Sequence, residues 1–322
     1  MASQIVMIGV NLSGLTVAAL LRQLLPEQSW NQVRRLVAAR CVLIGSELCL
    51  DPARRLKEGE VLELRPAPAP LPRQHDQLVI RHLDVHLVVV EKPAGLPTVR
   101  HPSERDWSEK RKGLEPTLED LVPPLIARQE ARRGKGPFPR LRVVQRLDKG
   151  TSGLVVFART VPAERGLGKQ FRAHTVTRRY LAVVPGYLGP QRIATRLVRD
   201  RGDGRRGSTR YPDQGKEAIT HVDAVERLPG YTVLSCRLET GRTHQIRIHL
   251  AEHSHPVCGD KVYVHKPDGT LFEDRSNAPR LALHAAELGF CHPLTREALH
   301  WEMPLPADLQ EFVARLRGQP AP

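Results

Sequence analysis

The chain has 322 residues, with 49 Lys and Arg against 35 Asp and Glu, a formal net charge of +14 that lies far from the near-neutral balance of most metabolic enzymes. Its length suggests one large domain plus a smaller one, and its charge excess attracts a polyanion, nucleic acid rather than a membrane, since there is no lipidation signal and no basic amphipathic helix beside an apolar anchor. Five cysteines, an odd number without a CxxC, fit neither a disulfide framework nor a zinc site and read as reduced core thiols.

The first charged side chain is Arg22. The opening stretch lacks a basic n-region, and Gln4, Asn11, Ser13 and Gly14 interrupt its apolar run, so it reads as neither a signal peptide nor a membrane span, and a cytoplasmic protein is expected. Val17, Leu20, Leu21 and Leu24 fall at i, i+3, i+4 and i+7 and predict a helix; Val33, Leu36 and Val37 predict a second, which carries Arg34 and Arg35. Arg40 to Gly45 and Glu60 to Leu64 read as short strands. This order, helix, helix, strand, strand with basic residues on the second helix, resembles the S4-like RNA-binding module, and residues 1–65 are assigned to it; a small docking domain is the plainer alternative.

Residues 66–79 form the expected linker, because proline at every second position from Pro66 to Pro72 favours an extended spacer. Residues 80–322 form the expected large domain. Within it His86 to Glu91 predicts a strand that ends in a Pro-Gly turn, Lys92-Pro93-Ala94-Gly95. The charged stretch 102–142 predicts one helix over Thr117 to Gln129 and otherwise loop, and the Gly- and Arg-rich stretch 199–215 predicts a mobile surface loop; each reads either as an RNA contact or as solvated surface. Strands are predicted over Leu154 to Ala158, Tyr180 to Val184, Thr232 to Leu238 and Ile246 to Leu250. Regular βα alternation is missing, so an α+β fold with a mixed, mainly antiparallel central sheet is expected.

Two segments carry the chemistry. In Gln145-Arg146-Leu147-Asp148-Lys149-Gly150-Thr151-Ser152-Gly153, an aspartate stands in a turn just before an apolar strand, where it is either a reactive carboxylate at a sheet edge or a turn residue capping local amides. In Gly241-Arg242-Thr243-His244-Gln245-Ile246-Arg247-Ile248-His249-Leu250, the predicted strand puts Arg247 and His249 on one face and the aliphatic residues on the other. A half-buried arginine needs an anion, and Asp148 is one candidate. A structural ion pair is the plainer reading. His244, His249, His253 and His255 cluster in sequence but match no zinc signature, and Gly166-Leu167-Gly168-Lys169 lacks the first glycine and the Ser or Thr of a phosphate loop.

Together these segments resemble the RluA-type RNA pseudouridine synthase family, through Arg146-Leu147-Asp148, Thr151-Ser152-Gly153 and Gly241-Arg242-Thr243-His244-Gln245-Ile246-Arg247. Glu91 to Leu96, Arg179-Tyr180-Leu181-Ala182, Gly259-Asp260 and Leu283-His284-Ala285 agree in order, so the likeness spans about residues 80–305. Gln145 departs from the histidine many relatives carry there, which bears on local contacts rather than on activity. The resemblance implies that Asp148 is the essential aspartate, that Arg247 pairs with it, that Tyr180 stacks on the target base and aids proton removal, and that Arg146 lies near the space a flipped base vacates. Arg34, Arg35, Arg242 and His244 are read as further RNA contacts.

The implied reaction is isomerisation of uridine to pseudouridine without metal or cofactor, by a monomer. Asp148 could attack the sugar, add to the base, or stabilise a cationic sugar. The expected substrate is large-subunit ribosomal RNA. Transfer RNA is the alternative substrate, and a non-catalytic RNA-binding or ribosome-assembly factor the alternative class.

Overall fold

The computed structural model describes residues 4–45, 47–67, 78–130, 140–202, 204–264 and 270–318, and divides into two compact units, Met1–Asp76 and Gln77–Pro322. Part of the proline-rich stretch lies outside the described residues.

In the first unit, β1 (Gln4–Met7), β4 (Val61–Leu64), β2 (Val42–Ile44) and β3 (Glu47–Leu48) form an antiparallel sheet in that spatial order. The helices α1 (Val17–Leu24) and α2 (Trp30–Ala38) begin where the sequence supplies caps. The Thr16 hydroxyl accepts from the Ala19 amide, and Ser29 and Gln32 form a reciprocal capping box. Val17, Leu20, Leu21, Val33 and Val37 are buried against the sheet residues Val42, Ile44 and Leu62, which leaves Arg34 and Arg35 exposed on α2. Strand β1 belongs to the opening stretch, for which the sequence predicts neither a leader nor a strand, since it alternates too weakly to signal one.

The second unit is built on an eleven-stranded mixed sheet. Its elements are β5 (Ile80–Leu83), β6 (Leu87–Lys92), α3 (Glu109–Leu114), α4 (Leu118–Glu130), β7 (Arg142–Val143), β8 (Ser152–Ala158), α5 (Val161–Arg172), β9 (Thr177–Pro185), β10 (Gln191–Val198), β11 (Gly207–Thr209), β12 (Lys216–Leu228), β13 (Tyr231–Leu238), α6 (Gln245–Glu252), β14 (Leu283–Cys291), β15 (Ala298–Glu302) and α7 (Ala307–Arg317). Strand order runs β11-β10-β12-β13-β9-β14-β8-β6-β5, with β15 beside β14 and β7 beside β8. Every described pairing is antiparallel except the short parallel contact of β8 with β14. The expected mixed, mainly antiparallel sheet is therefore present.

Three expectations need correction. Ile246 to Leu250 is not a strand but part of helix α6, in which every residue from Gln245 to Ala251 is buried. A helix enclosed on all sides has no polar face to mark its 3.6-residue period, and its apolar-polar alternation imitated a strand. The polar members Arg247 and His249 are tolerated because both find internal partners. The 102–142 stretch holds α3 as well as α4, and the 199–215 stretch is not wholly loop, because Gly207–Thr209 pairs with Arg196–Val198 of β10.

The β8–β14 contact explains two of the sequence motifs. Gly153 has φ +124°, and a Cβ there would stand 2.2 Å from the Ala285 carbonyl, so only glycine permits the approach. Beside it, the Ser152 hydroxyl donates to His284 Nδ1 (2.9 Å), while His284 Nε2–H reaches the Met303 carbonyl (3.3 Å). These contacts fix the end of β8 immediately after the turn that carries Asp148. Among the described residues, no helix is long and apolar enough to cross a membrane.

Candidate active site

Asp148 sits in the turn between β7 and β8, and its neighbours in sequence are tied down on both sides. Thr98 Oγ1 donates to the Leu147 carbonyl (2.8 Å) and accepts from the Leu147 amide (3.0 Å). On the other side the Lys149 carbonyl accepts from the Gly95 amide (2.7 Å) and from Lys92 Nζ (3.3 Å). Lys92 is fully buried and also donates to the Pro93 and Leu96 carbonyls, at 2.9 and 2.7 Å. Burial, only partly offset by the nearby Asp148 carboxylate, pulls its ammonium down to about 7. The Lys92 to Leu96 turn is thus the cradle of the Asp148 loop.

The opposite wall comes from the loop after β13 and the start of α6. Gln245 is buried and its amide links four groups: Nε2 donates to the Ile219 carbonyl and Thr220 Oγ1 of β12, and Oε1 accepts from Thr240 Oγ1 and the Arg242 amide. That network fixes the turn in which His244 adopts φ 60°, an uncommon conformation for a residue with a side chain. One turn further along α6, Arg247 reaches two carboxylates. Nε and Nη2 bind Asp260 in a bidentate pair at 2.6 and 2.8 Å, while Nη1 lies 3.4 Å from Asp148 Oδ2.

Burial opposes the Arg247 charge, yet hydrogen bonding and attraction from Asp260, with help from Asp148, hold its pKa above the ordinary arginine value. Burial likewise opposes the Asp260 charge, but Arg247 and the Val262 and Tyr263 amides hold that carboxyl below the usual carboxylate range. The Asp148 side chain retains 22% exposure, and its Oδ1 is 3.7 Å from His244 Nε2.

Asp148 opens onto a groove of about 360 Å³ lined by Arg146, Tyr180, Arg242, His244 and Arg247, among others. Tyr180 lies on β9, level with Cys236 of β13 and Ala285 of β14, and burial pushes its phenol up to about 12. The ring is therefore an uncharged flat surface at neutral pH. Arg146 is exposed, and among the described residues nothing pairs with its guanidinium. Arg242 Nε donates to the Glu217 carbonyl (2.8 Å) at the rim.

Six of the residues singled out in the sequence, Asp148, Tyr180, Arg247, Arg146, Arg242 and His244, converge on this groove. Arg34 and Arg35 belong to the other unit. The four clustered histidines take separate partners: His244 meets Tyr263, His249 lies between Thr195 and Thr220, His253 binds the His249 carbonyl and His255 the Pro185 carbonyl. Sequence reasoning missed the part played by Asp260 and Tyr263. Gly259-Asp260 was legible as a motif, and its glycine, at φ +76°, lies where a Cβ would meet the Arg280 carbonyl at 2.1 Å; Tyr263 carries no local signal.

Residues 86–252 match the family model described as RNA pseudouridylate synthase. A ribosomal large subunit pseudouridine synthase D of Nitrosomonas europaea is 34% identical, across 96% of this chain and 87% of that protein. One of Xanthomonas campestris pv. campestris is 36% identical, across 94% and 89%. Among solved structures, human RNA pseudouridylate synthase domain containing 4 shares the fold with a TM-score of 0.57 at 22% identity, covering 75% of this chain and 94% of that one. Human RNA pseudouridylate synthase domain containing 1 does so with a TM-score of 0.53 at 24% identity, covering 78% and 99%. With the motifs, the matched residues and the fold in agreement, the chain belongs to the RNA pseudouridylate synthase family.

Proposed function

We propose that this protein isomerises uridine to pseudouridine in large-subunit ribosomal RNA, with Asp148 as the catalytic carboxylate. The observation that carries the reading is a partly exposed carboxylate at the base of a groove with a neutral aromatic wall and a cationic rim. In the reaction the bond from C1′ to N1 breaks, the base rejoins through C5, and the C5 hydrogen leaves as a proton. Cleavage of an N-glycoside develops positive character at the sugar, which a carboxylate at the sugar-base junction stabilises or captures.

Because that junction is hidden in stacked RNA, the nucleotide must be everted, and each remaining residue of the groove has a use. Tyr180 offers a face for the base to stack on. Arg146, exposed beside the reacting group, fills the space the base leaves, and Arg242 with His244 contacts the RNA. In the N-terminal unit, which we assign as an S4-like RNA-binding domain, Arg34 and Arg35 bind phosphates. The names of the relatives support large-subunit ribosomal RNA over transfer RNA.

Large-subunit RNA labelled with tritium at uridine C5 tests the proposal, because forming the new carbon bond must release the label. Release by the wild type and none by Asp148→Ala is the expected result. Equal release by both, or none from either protein on total cellular RNA, would replace the enzyme with a non-catalytic RNA-binding factor.

A further inference from the structure

Among the described residues, Tyr263 has a single hydrogen-bond partner for its hydroxyl, His244. Its ring is buried with the Arg247 guanidinium 5.0 Å from the ring centroid, and its amide donates to Asp260 Oδ1 at 3.1 Å. A phenylalanine would keep both contacts. The hydroxyl goes instead to His244 Nδ1, 2.8 Å away, and the opposite ring nitrogen, Nε2, stands 3.7 Å from Asp148 Oδ1.

We propose that Tyr263 and His244 form a positioning pair for Asp148: the phenol donates to Nδ1, which leaves the ring proton on Nε2, directed at the carboxylate. The proposal rests on the reading of Asp148 as the reacting group. Which nitrogen of a neutral imidazole carries the proton is set by the partner of the other. Were the proton on Nδ1, the Nε2 lone pair would face the Asp148 carboxylate, an unfavourable opposition of two electron-rich groups. The phenol has its proton available, because burial pushes Tyr263 up to about 12.

Asp148 is then held at two points, Oδ2 by Arg247 Nη1 and Oδ1 by His244 Nε2. The two contacts bias the rotation of the carboxylate plane. Both distances exceed that of a good hydrogen bond, so the orientation is favoured without locking the group against the substrate.

The charged and titratable groups around His244 are Asp148, Arg247, Arg206, Asp260 and Tyr263. Burial first, and then Arg247 and Arg206, lower its pKa against the pull of Asp148 and Asp260, so the ring is neutral at pH 7. As the pH falls through that lowered value, an imidazolium forms beside Asp148, draws the carboxylate into an ion pair and slows the reaction. Tyr263→Phe removes a hydroxyl that donates to the neutral ring and can turn to accept from the imidazolium, so it moves the acid limb of the rate profile.

The full chain labelled with ¹⁵N-histidine reports the tautomer directly, with the His244 resonances identified by their loss in His244→Gln. The Nε2–H form is expected in the wild type, and Tyr263→Phe should shift the ring toward a mixture. In parallel, single-turnover tritium release from C5-labelled large-subunit RNA should fall roughly five- to tenfold in Tyr263→Phe, the scale of one hydrogen bond, at unchanged RNA affinity and with the displaced limb. In His244→Gln that limb should be lost. An Nδ1–H wild type, or a Tyr263→Phe protein with the wild-type rate and limb, overturns the proposal. So does a loss uniform across pH that tracks a lowered Tm, which marks packing alone. A wild type that releases no tritium overturns the functional reading instead, and the tautomer measurement then decides whether the pair exists.

Discussion

Arg247 meets two carboxylates from two regions of the catalytic unit, and they are held in opposite ways. Asp260, in the segment that follows α6, is fully enclosed, binds the guanidinium at 2.6 and 2.8 Å and accepts two backbone amides. Asp148, in the turn before β8, is partly exposed, and its two side-chain contacts are 3.4 and 3.7 Å long. The strong pair fixes the arginine, and the arginine then faces the second carboxylate at a distance that leaves it open to the groove, as the role proposed for Asp148 requires. A carboxylate held as tightly as Asp260 would have its lone pairs committed to donors; one without any partner would have no fixed direction.

The sharpest way to break this contrast is to neutralise each carboxylate in turn. Asp148→Asn should reduce tritium release by roughly 10⁴-fold or more while changing stability by less than about 1 kcal/mol, because only long, partly solvated contacts are lost. Asp260→Asn strands a buried guanidinium, and should cost about 3–5 kcal/mol of stability in denaturant titrations as well as activity. If the two variants behaved alike in both measurements, the division between anchor and reactive group would be wrong.

The same contrast decides how much could be read from the sequence. Asp148 was legible because its surroundings are local: the turn, the glycine at 153 and the strand after it lie within ten residues. The groove's other members were legible through short motifs on β9 and near α6. Asp260 and Tyr263 act through contacts with Arg247 and His244 that span 13 and 19 residues, and no local period announces such a pairing. The same limit hid the nature of α6. Its burial on all sides erased the helical stripe that made α1 and α2 plain, where one face meets a small sheet and the other meets water. Lys92 was visible as part of a turn motif, but its third carbonyl partner, on Lys149, comes within reach only once β6 and β8 pair.

Lys92 sharpens the comparison from below, because it is a cation that supports the Asp148 loop through carbonyls rather than through a carboxylate. Its folded pKa of about 7 lies below the ordinary lysine value of 10.5, so between those values the unfolded chain binds more protons than the folded one. Stability should therefore rise with pH through this window, by up to about 1.4 kcal/mol per pH unit. Cys236 and Cys258, raised by burial to about 12, oppose the trend above about pH 9, so the slope is best measured between pH 7 and 9. In Lys92→Met that slope should flatten, as read from urea midpoints. An unchanged slope would show that the ammonium remains charged within its ring of carbonyls.

The smallest effect concerns the exposed pair on α2, which sets binding by the N-terminal unit against chemistry in the groove. Arg34 and Arg35 project from a helix whose opposite face, Val33 and Val37, is buried, so replacing both with Gln should leave the fold intact. If each neutralises one phosphate, the double variant should bind large-subunit RNA several-fold more weakly and flatten the dependence of log affinity on log salt by roughly 1.4 to 1.8. Its single-turnover rate at saturating RNA should match the wild type, because neither side chain belongs to the groove that holds Asp148. A salt slope equal to that of the wild type would remove the N-terminal unit from RNA recognition. A reduced rate at saturation would mean that this unit helps to present the uridine, a role that phosphate contacts alone do not supply.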